Sequence, residues 1–503
     1  DRLGHLDRRN PPFLQCAGQV CDGTWQSLQS TSTDPIHAPP PEDADSKAER
    51  PLRSVSGFPG WSPGGVYHCR VKNGVEGTVR GGSRGRVWRE LLPAFDRRVW
   101  LLLGAMLVFR FGQGLYYPFS TIYFHNVVGI PLSLIGVGLG TLAASSVVSG
   151  LVSGPLADRH GRKPLVLLAL LGNATTFLAF AFVGGFWGYL AVCVLAGLAG
   201  ASMFDAARNA MVADVTPEGV RARAYGLVRV GGNVGWALGP LFAGVLAASA
   251  GASGGAYRAM FAGASVLTLV VLCAMAVGLR ESLPGAGTKG AVTSRAIPVS
   301  KLRAALADGP FLVLLGVGFL LYYVFTQDWQ ALPVYGKNFL GLTDAQVGFF
   351  LAGNGLAVVL LQLPISALLD GRSKVGALGA GAALFAASSA TLLLADGFWG
   401  VLLAFAGFFT LGEMILEVAG ASLAAELAPE ERRGTYLALF GSCFGASYGL
   451  SPVVAGTLLD ARLPTAIWII QLVAAALAAL GLLRLSALGR RRRRAGSTRA
   501  EAG

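Results

Sequence analysis

Beyond residue 98 the chain is a succession of long apolar runs separated by short polar breaks. Twelve runs stand out, at about 99–124, 133–153, 164–183, 187–213, 224–249, 257–279, 310–335, 344–369, 375–394, 398–424, 436–459 and 464–485. Each comes near the ~20 residues that an α-helix needs to cross the hydrocarbon of a bilayer. The pattern predicts an all-α polytopic membrane protein with twelve transmembrane helices, called spans 1 to 12 below. Residues 1–95 break the pattern. They are rich in Pro, Gly, Ser and charge, lack periodicity and carry no signal-peptide signature, so disorder is the expectation. The chain starts with Asp1 and its first Met is Met106, already inside span 1. The tail is therefore expected to be disordered or spurious, a fragment or an over-extended reading frame.

Composition changes the picture little, because 53% apolar and 14% charged residues is itself a membrane profile. In a soluble chain the net charge of +13 would point to nucleic acid. Here the cations fall in short loops, so they set topology and no nucleic-acid partner is expected; the lipid bilayer is. One side collects Arg97, Arg98, Arg159, Arg162, Lys163, Arg221, Arg223, Arg280, Lys289, Arg295, Lys301, Arg303, Arg372, Lys374, Arg432, Arg433 and the run Arg490–Arg494. The other has Arg258, Lys337 and Arg462. The excess of positive charge predicts a multi-pass protein of the cytoplasmic (inner) membrane with both termini cytoplasmic. Cys193, Cys273 and Cys443 read as small core residues. Cys16, Cys21, His68 and Cys69 lack zinc-site spacing, so no metal is expected.

An internal repeat organises the spans. A shift of 212 positions carries Tyr123 to Tyr335, Asn126 to Asn338, Gly129 to Gly341, Gly136 to Gly348 and Asp158 to Asp370. It also carries Gly185-Phe186-Trp187-Gly188 to Gly397-Phe398-Trp399-Gly400, Asp205 to Glu417, Pro240 to Pro452 and Gly244 to Gly456. One shift over six helices means two parallel halves related by an axis along the membrane normal, with a solute path between them. The expected units are a tail 1–95, a first six-helix bundle 96–280, a cytoplasmic linker 281–309, a second bundle 310–486 and a basic tail 487–503.

Between spans 2 and 3 lies Gly154-Pro155-Leu156-Ala157-Asp158-Arg159-His160-Gly161-Arg162-Lys163. A turn this short and cationic belongs at the membrane surface, with Gly154 and Gly161 allowing close approach or reversal and Asp158 able to cap a helix. The pattern G-x-L-x-D-R-x-G-R-K resembles the signature loop of major facilitator superfamily transporters. Span 5 adds Gly226, Gly235, Gly239-Pro240 and Ala243-Gly244. This is similar to the motif of family members that exchange solute for protons, with Ala243 in place of one Gly. Physically, small residues allow tight helix contact and Pro240 bends the helix. Two departures stand beside these matches. Val192–Ala196 of span 4 is apolar where drug antiporters often carry an Arg, and the second-half loop, Asp370-Gly371-Arg372-Ser373-Lys374, loses a Gly. The resemblance implies the major facilitator fold, two parallel six-helix repeats, with spans 1, 4, 7 and 10 lining a central cavity.

Charge inside a bilayer is costly, so intramembrane ionisable residues are candidates for function. They are Arg110 on span 1, Asp205 and Arg208 on span 4, Asp328 on span 7, and Glu413 and Glu417 on span 10. Arg229, near the inner end of span 5, is placed to snorkel. Asp205 and Arg208 are three apart and Glu413 and Glu417 four apart, so each pair shares a helix face. Two carboxylates in a poorly hydrated cavity repel, which favours one of them holding a proton. Glu413, Glu417, Asp205 or Asp328 is thus expected to carry a coupling proton, with Arg110 as modulator. The bland alternative is a static, charge-compensated network such as Asp205–Arg208. For the signature loop, Gly154, Asp158, Arg159, Gly161, Arg162, Lys163 and Asp214 are expected to gate. Asp158 would attract the start of span 11 near Arg433–Tyr436, and Arg162 would pair with Asp214.

Gly285-Ala286-Gly287-Thr288-Lys289 lacks the spacing and context of a phosphate loop, and no metalloprotease or nucleophile-elbow motif occurs. Neither an enzyme nor a cofactor is expected. The reading is a secondary active transporter, in monomeric form, that exports a small organic solute or drug in exchange for protons by alternating access. A proton-coupled importer or a sugar-efflux protein of the same fold, and a non-transporting receptor or scaffold, are the alternatives.

Overall fold

A computed structural model describes residues 66–70, 76–80, 95–251, 253–282 and 299–501, without the side chains of the two short strands, Asp158, Glu218, Gly219, Ala222, Val299 and residues from 489 on. Before residue 95 the described part is a pair of antiparallel strands, Val66–Arg70 and Glu76–Arg80, with Val66 opposite Arg80. The expectation for the rest of that stretch falls outside the described residues.

Twelve helices are long and apolar enough to cross a membrane among the described residues. Spans 1 to 6 are Arg97–Asn126, Leu132–Ala157, Arg162–Phe180, Phe186–Val215, Arg223–Ser249 and Gly254–Gly278. Spans 7 to 12 are Gly309–Phe339, Asp344–Leu369, Lys374–Leu394, Phe398–Leu427, Glu430–Asp460 and Pro464–Leu488. Local chemistry sets several of the ends. Asp96, Ser253 and Ser373 accept a backbone N–H from the first turn of spans 1, 6 and 9. Thr343 and Gln346 form a reciprocal capping box at span 8.

The turn between spans 2 and 3 is tighter than its composition suggests. The helix of span 2 runs on to His160, and the chain reverses at Gly161 with φ 99°. That conformation favours glycine, whereas Gly154 lies in continuous helix with open space around it. The expected reversal therefore belongs to Gly161 alone of the two. Spans 4 and 10 also depart from simple helices. Span 4 is broken between Phe186–Leu198 and Ala201–Val215, and span 10 holds a π-helical segment at Leu403–Phe409.

The repeat is visible in the packing at the end of the molecule opposite the Gly161 turn. Gly136 of span 2 lies against Pro452 of span 11, and Gly348 of span 8 lies against Pro240 of span 5. Gly456 meets the Leu132 carbonyl, while Gly244 meets the Asp344 carbonyl, where an added methyl would sit 2.5 Å from the oxygen. Each of these contacts joins the two halves, and each is the 212-residue image of another. On the axis itself, Asn126 and Asn338 exchange amide hydrogen bonds of 2.9 and 3.0 Å. Asp460 of span 11 accepts the Leu132 and Ser133 N–H groups at 3.0 and 2.8 Å, at the positive start of span 2. Lys337 and the Tyr257 hydroxyl meet the Asp344 carboxylate at 2.6 and 2.9 Å, tying span 6 to spans 7 and 8. This end is closed.

The apolar core follows the same division. One buried cluster runs through the second half and the closed end of the first. A separate cluster, from Val99 and Leu102 through Met211 to Leu279, fills the opposite end of the first half alone. The outer faces carry the large apolar side chains that suit lipid, among them Phe182, Leu363 and Leu394. The repeat-related Trp187 and Trp399 are 78% and 77% exposed where spans 4 and 10 begin, as in an interfacial aromatic belt.

Candidate functional site

Between the halves lies a cavity of about 980 Å³, lined from spans 1 to 5, 7, 8, 10 and 11. Aromatic rings roof it toward the closed end. The Tyr117 and Tyr448 hydroxyls meet across the axis, and Trp236 stands edge-on to Trp329 at 5.5 Å. Its lining continues along spans 5 and 11 to Tyr225 and Gly441, toward the Gly161 end, where the Arg229 side chain is 63% exposed.

On the first-half wall Asp205 holds two guanidiniums. Arg110 reaches it from span 1 at 2.9 Å and Arg208 from one turn further along span 4 at 3.3 Å. Arg110 also donates to Gln113 at 2.7 Å, and Arg208 to Asn209 at 2.9 Å. The break in span 4 aims this cluster. Gly172 of span 3 packs against Ala199, so the chain kinks there and a new helix starts at Ala201. Ala201 and Ser202, its first residues, line the cavity, so its positive end joins the guanidiniums there.

The second-half wall carries Glu413 and Glu417. Glu413 accepts from the Asn354 amide at 2.8 Å, and the same amide donates to Thr410 at 2.8 Å. Thr410 in turn donates to the Phe405 carbonyl at 2.7 Å, an acceptor within the π-helical segment. The wide turn, Thr410 and Asn354 together fix where Glu413 stands. π-Helical turns are frequent at functional sites. Glu417 lies 3.7 Å from Arg229 of span 5, so this pair bridges the halves. Arg229 thus lines the cavity.

Asp328, expected among these groups, is elsewhere. Cavity residues Phe325, Thr326 and Trp329 define one face of span 7, and the 100° step of an α-helix turns Asp328 off it. Asp328 is buried, accepting from Gln471 at 2.6 Å while Gln471 accepts from Ser389 at 2.9 Å, between spans 7, 9 and 12. Asn354, Thr410, Gln113 and Trp236 also build the site and none is ionisable, so intramembrane charge does not point to them; an amide inside an apolar run, as at Asn354, is the sequence signal that marks such a site.

The span-5 residues divide. Gly235 and Gly239 pack against the Leu107 and Phe111 carbonyls of span 1, and Pro240 and Gly244 against span 8. Gly226 has open space around it, so helix packing does not account for it. At the Gly161 turn, Arg162 lies 3.3 Å from Asp214. The Glu281 carboxylate accepts the Arg162 and Lys163 N–H groups at 3.0 and 2.9 Å, fastening the exit of span 6 to the start of span 3. Lys163 donates to the Ala276 carbonyl at 2.7 Å, and Arg159 is exposed. The expected partner role of Asp158 falls on a side chain outside the described residues. Among the described residues no three His, Cys, Asp or Glu side chains gather as a metal site would need.

The family model of the Major Facilitator Superfamily matches residues 101–370 and 329–502. The chain belongs to the Major Facilitator Superfamily. It is similar to a Na(+), Li(+), K(+)/H(+) antiporter of Planococcus maritimus, 30% identical over 64% of this chain and 80% of that one. It is also similar to the multidrug resistance protein MdtH of Yersinia enterocolitica, 27% identical over 70% of this chain and 84% of that one. Among solved structures, a POT family transporter in complex with 5-aminolevulinic acid superimposes with a TM-score of 0.64. That match is 16% identical and covers 80% of this chain and 99% of the other, a likeness of fold. This superfamily member is a multi-pass membrane transporter, not an enzyme.

Proposed function

We propose that this transporter exports a small organic solute or drug across the cytoplasmic membrane in exchange for protons, by alternating access at the cavity. The observation that carries the reading is Glu413, a cavity carboxylate held by the neutral Asn354 amide, one turn from a second carboxylate. Such a group must take a proton or a solute cation to be neutralised, and competition between the two is what an exchanger needs. The Arg229–Glu417 pair supplies the link to conformation, because its partners belong to different halves. When the halves rock, the pair separates and Glu417 too needs a new partner, a proton or the solute. Relatives named as an antiporter and a multidrug resistance protein support exchange and efflux.

In this reading the Gly161 end is cytoplasmic, both termini are cytoplasmic, and the state described is open inward. The protein works as a monomer, since one chain builds the whole cavity. Asp158, Arg159, Gly161, Arg162, Lys163 and Asp214 close the cytoplasmic end in the other state, with Asp158 drawn to the start of span 11. Purified protein in liposomes, with an imposed pH gradient and an internal pH dye, tests the coupling. A panel of lipophilic cations, neutral drugs, sugars, amino acids and alkali cations is added in turn. The reading expects a solute to dissipate the gradient with native protein and not with the Glu413→Gln/Glu417→Gln variant. Dissipation that survives both substitutions rejects it.

A further inference from the structure

The charges that line the cavity are sorted by wall. Arg110, Arg208 and Arg229, with one acid, Asp205, come from the first half; Glu413 and Glu417 come from the second. Asp205 is shared by two guanidiniums, and the start of the Ala201–Val215 helix opens beside them, so that wall keeps positive character after its own pairing. Glu417 is partly met by Arg229 at 3.7 Å, whereas Glu413 has the Asn354 amide. The opposite wall therefore keeps negative character. Between them the Trp236 and Trp329 rings and the Tyr117–Tyr448 pair offer flat apolar faces.

From this juxtaposition we infer that the solute is a zwitterion on an aromatic body, its anionic group on the Arg110–Arg208 wall and its ammonium on Glu413. The inference rests on the cavity being the solute site. A solute carrying one charge leaves one wall unanswered in a poorly hydrated space, and unpaired buried charge is expensive. A zwitterion answers both walls at once, and the rings add stacking and cation–π attraction to its body and its ammonium. Taken together with the proposed exchange, its ammonium would displace the proton from Glu413 on binding, so that one carboxylate serves both passengers.

Binding to the purified full-length protein decides it, using two ring systems of different length. The probes are 3-(2-naphthyl)alanine and 4′-(aminomethyl)biphenyl-4-carboxylate, each beside its methyl ester, which keeps the cation, and its N-acetyl form, which keeps the anion. At least one zwitterion should bind tenfold or more tighter than both of its derivatives. Glu413→Gln should bring that zwitterion to within about threefold of its N-acetyl form. The comparison among ligands needs no variant, so a poorly folding substitution does not spoil it. An ester or an N-acetyl form that binds as tightly as its parent overturns the inference, as does binding of none of the six to folded protein. The same compounds in the pH-dye liposomes separate this inference from proton exchange. A preferred zwitterion that moves no protons leaves the inference standing and removes the exchange. An ester that moves protons as well as its parent does the reverse.

Discussion

Among the described residues Asp205 is the one acid on the first-half wall of the cavity, and Arg110 and Arg208 both pair with it. Asp205→Asn would leave two guanidiniums facing each other across a partly buried wall. Loss of one partner of a fully buried pair costs about 3–5 kcal/mol. With the Asp205 side chain 30% exposed, about 1–3 kcal/mol is expected. Thermal unfolding in detergent should show that loss, and the Asp205→Asn/Arg110→Gln double variant should recover part of it. Asn354 is the second residue of interest. Asn354→Ala removes the amide from Glu413 and Thr410, hydrogen bonds of which the charged one alone is worth about 1.5–3 kcal/mol. Solute-driven proton movement should fall tenfold or more while the protein still folds; an unchanged rate would mean that Glu413 needs no positioning. At this scale the sequence was a partial guide. Intramembrane charge pointed to Arg110, Asp205, Arg208, Glu413 and Glu417, since desolvation cost is readable from position in an apolar run. Asp328 satisfied the same criterion and lies between helices instead, because hydropathy says how deep a residue sits and not which face it occupies. Asn354 lies outside that criterion because its amide carries no charge.

At the scale of elements, two helices depart from regularity where they meet the cavity. Span 4 breaks before Ala201 and span 10 widens at Leu403–Phe409, and neither feature shows in a run of apolar residues. The repeat did announce the seam at the closed end. Gly136, Gly348, Pro240, Pro452, Gly244 and Gly456 recur under one shift because the same backbone approach is built twice. Gly348→Leu should wedge spans 5 and 8 apart, since its added atoms meet Pro240 and Gly244 backbone. A cysteine placed at Asn233, on the cavity side of the roof, should then react faster with a charged thiol reagent applied from the closed side. No change in reactivity would show that the seam is not the barrier on that side.

For the whole molecule, one apolar core spans the second half and the closed end of the first, and the other fills the opposite end of the first half alone. Asn126 and Asn338 mark the axis at the closed end. Cysteines at both positions, joined by a short bifunctional thiol reagent, should lock that end and reduce transport at least tenfold, with recovery when the link is cleaved. The measurement that reaches the central claim most directly is uptake into everted vesicles, whose outer face is the cytoplasmic face of the cell membrane. A radiolabelled solute identified in the panel is supplied outside while the vesicle lumen is made acidic. The account predicts accumulation against the solute gradient, collapse on adding a proton uncoupler, and loss of accumulation in Glu413→Gln/Glu417→Gln. Accumulation that requires an alkaline lumen, or that ignores the proton gradient altogether, would contradict it.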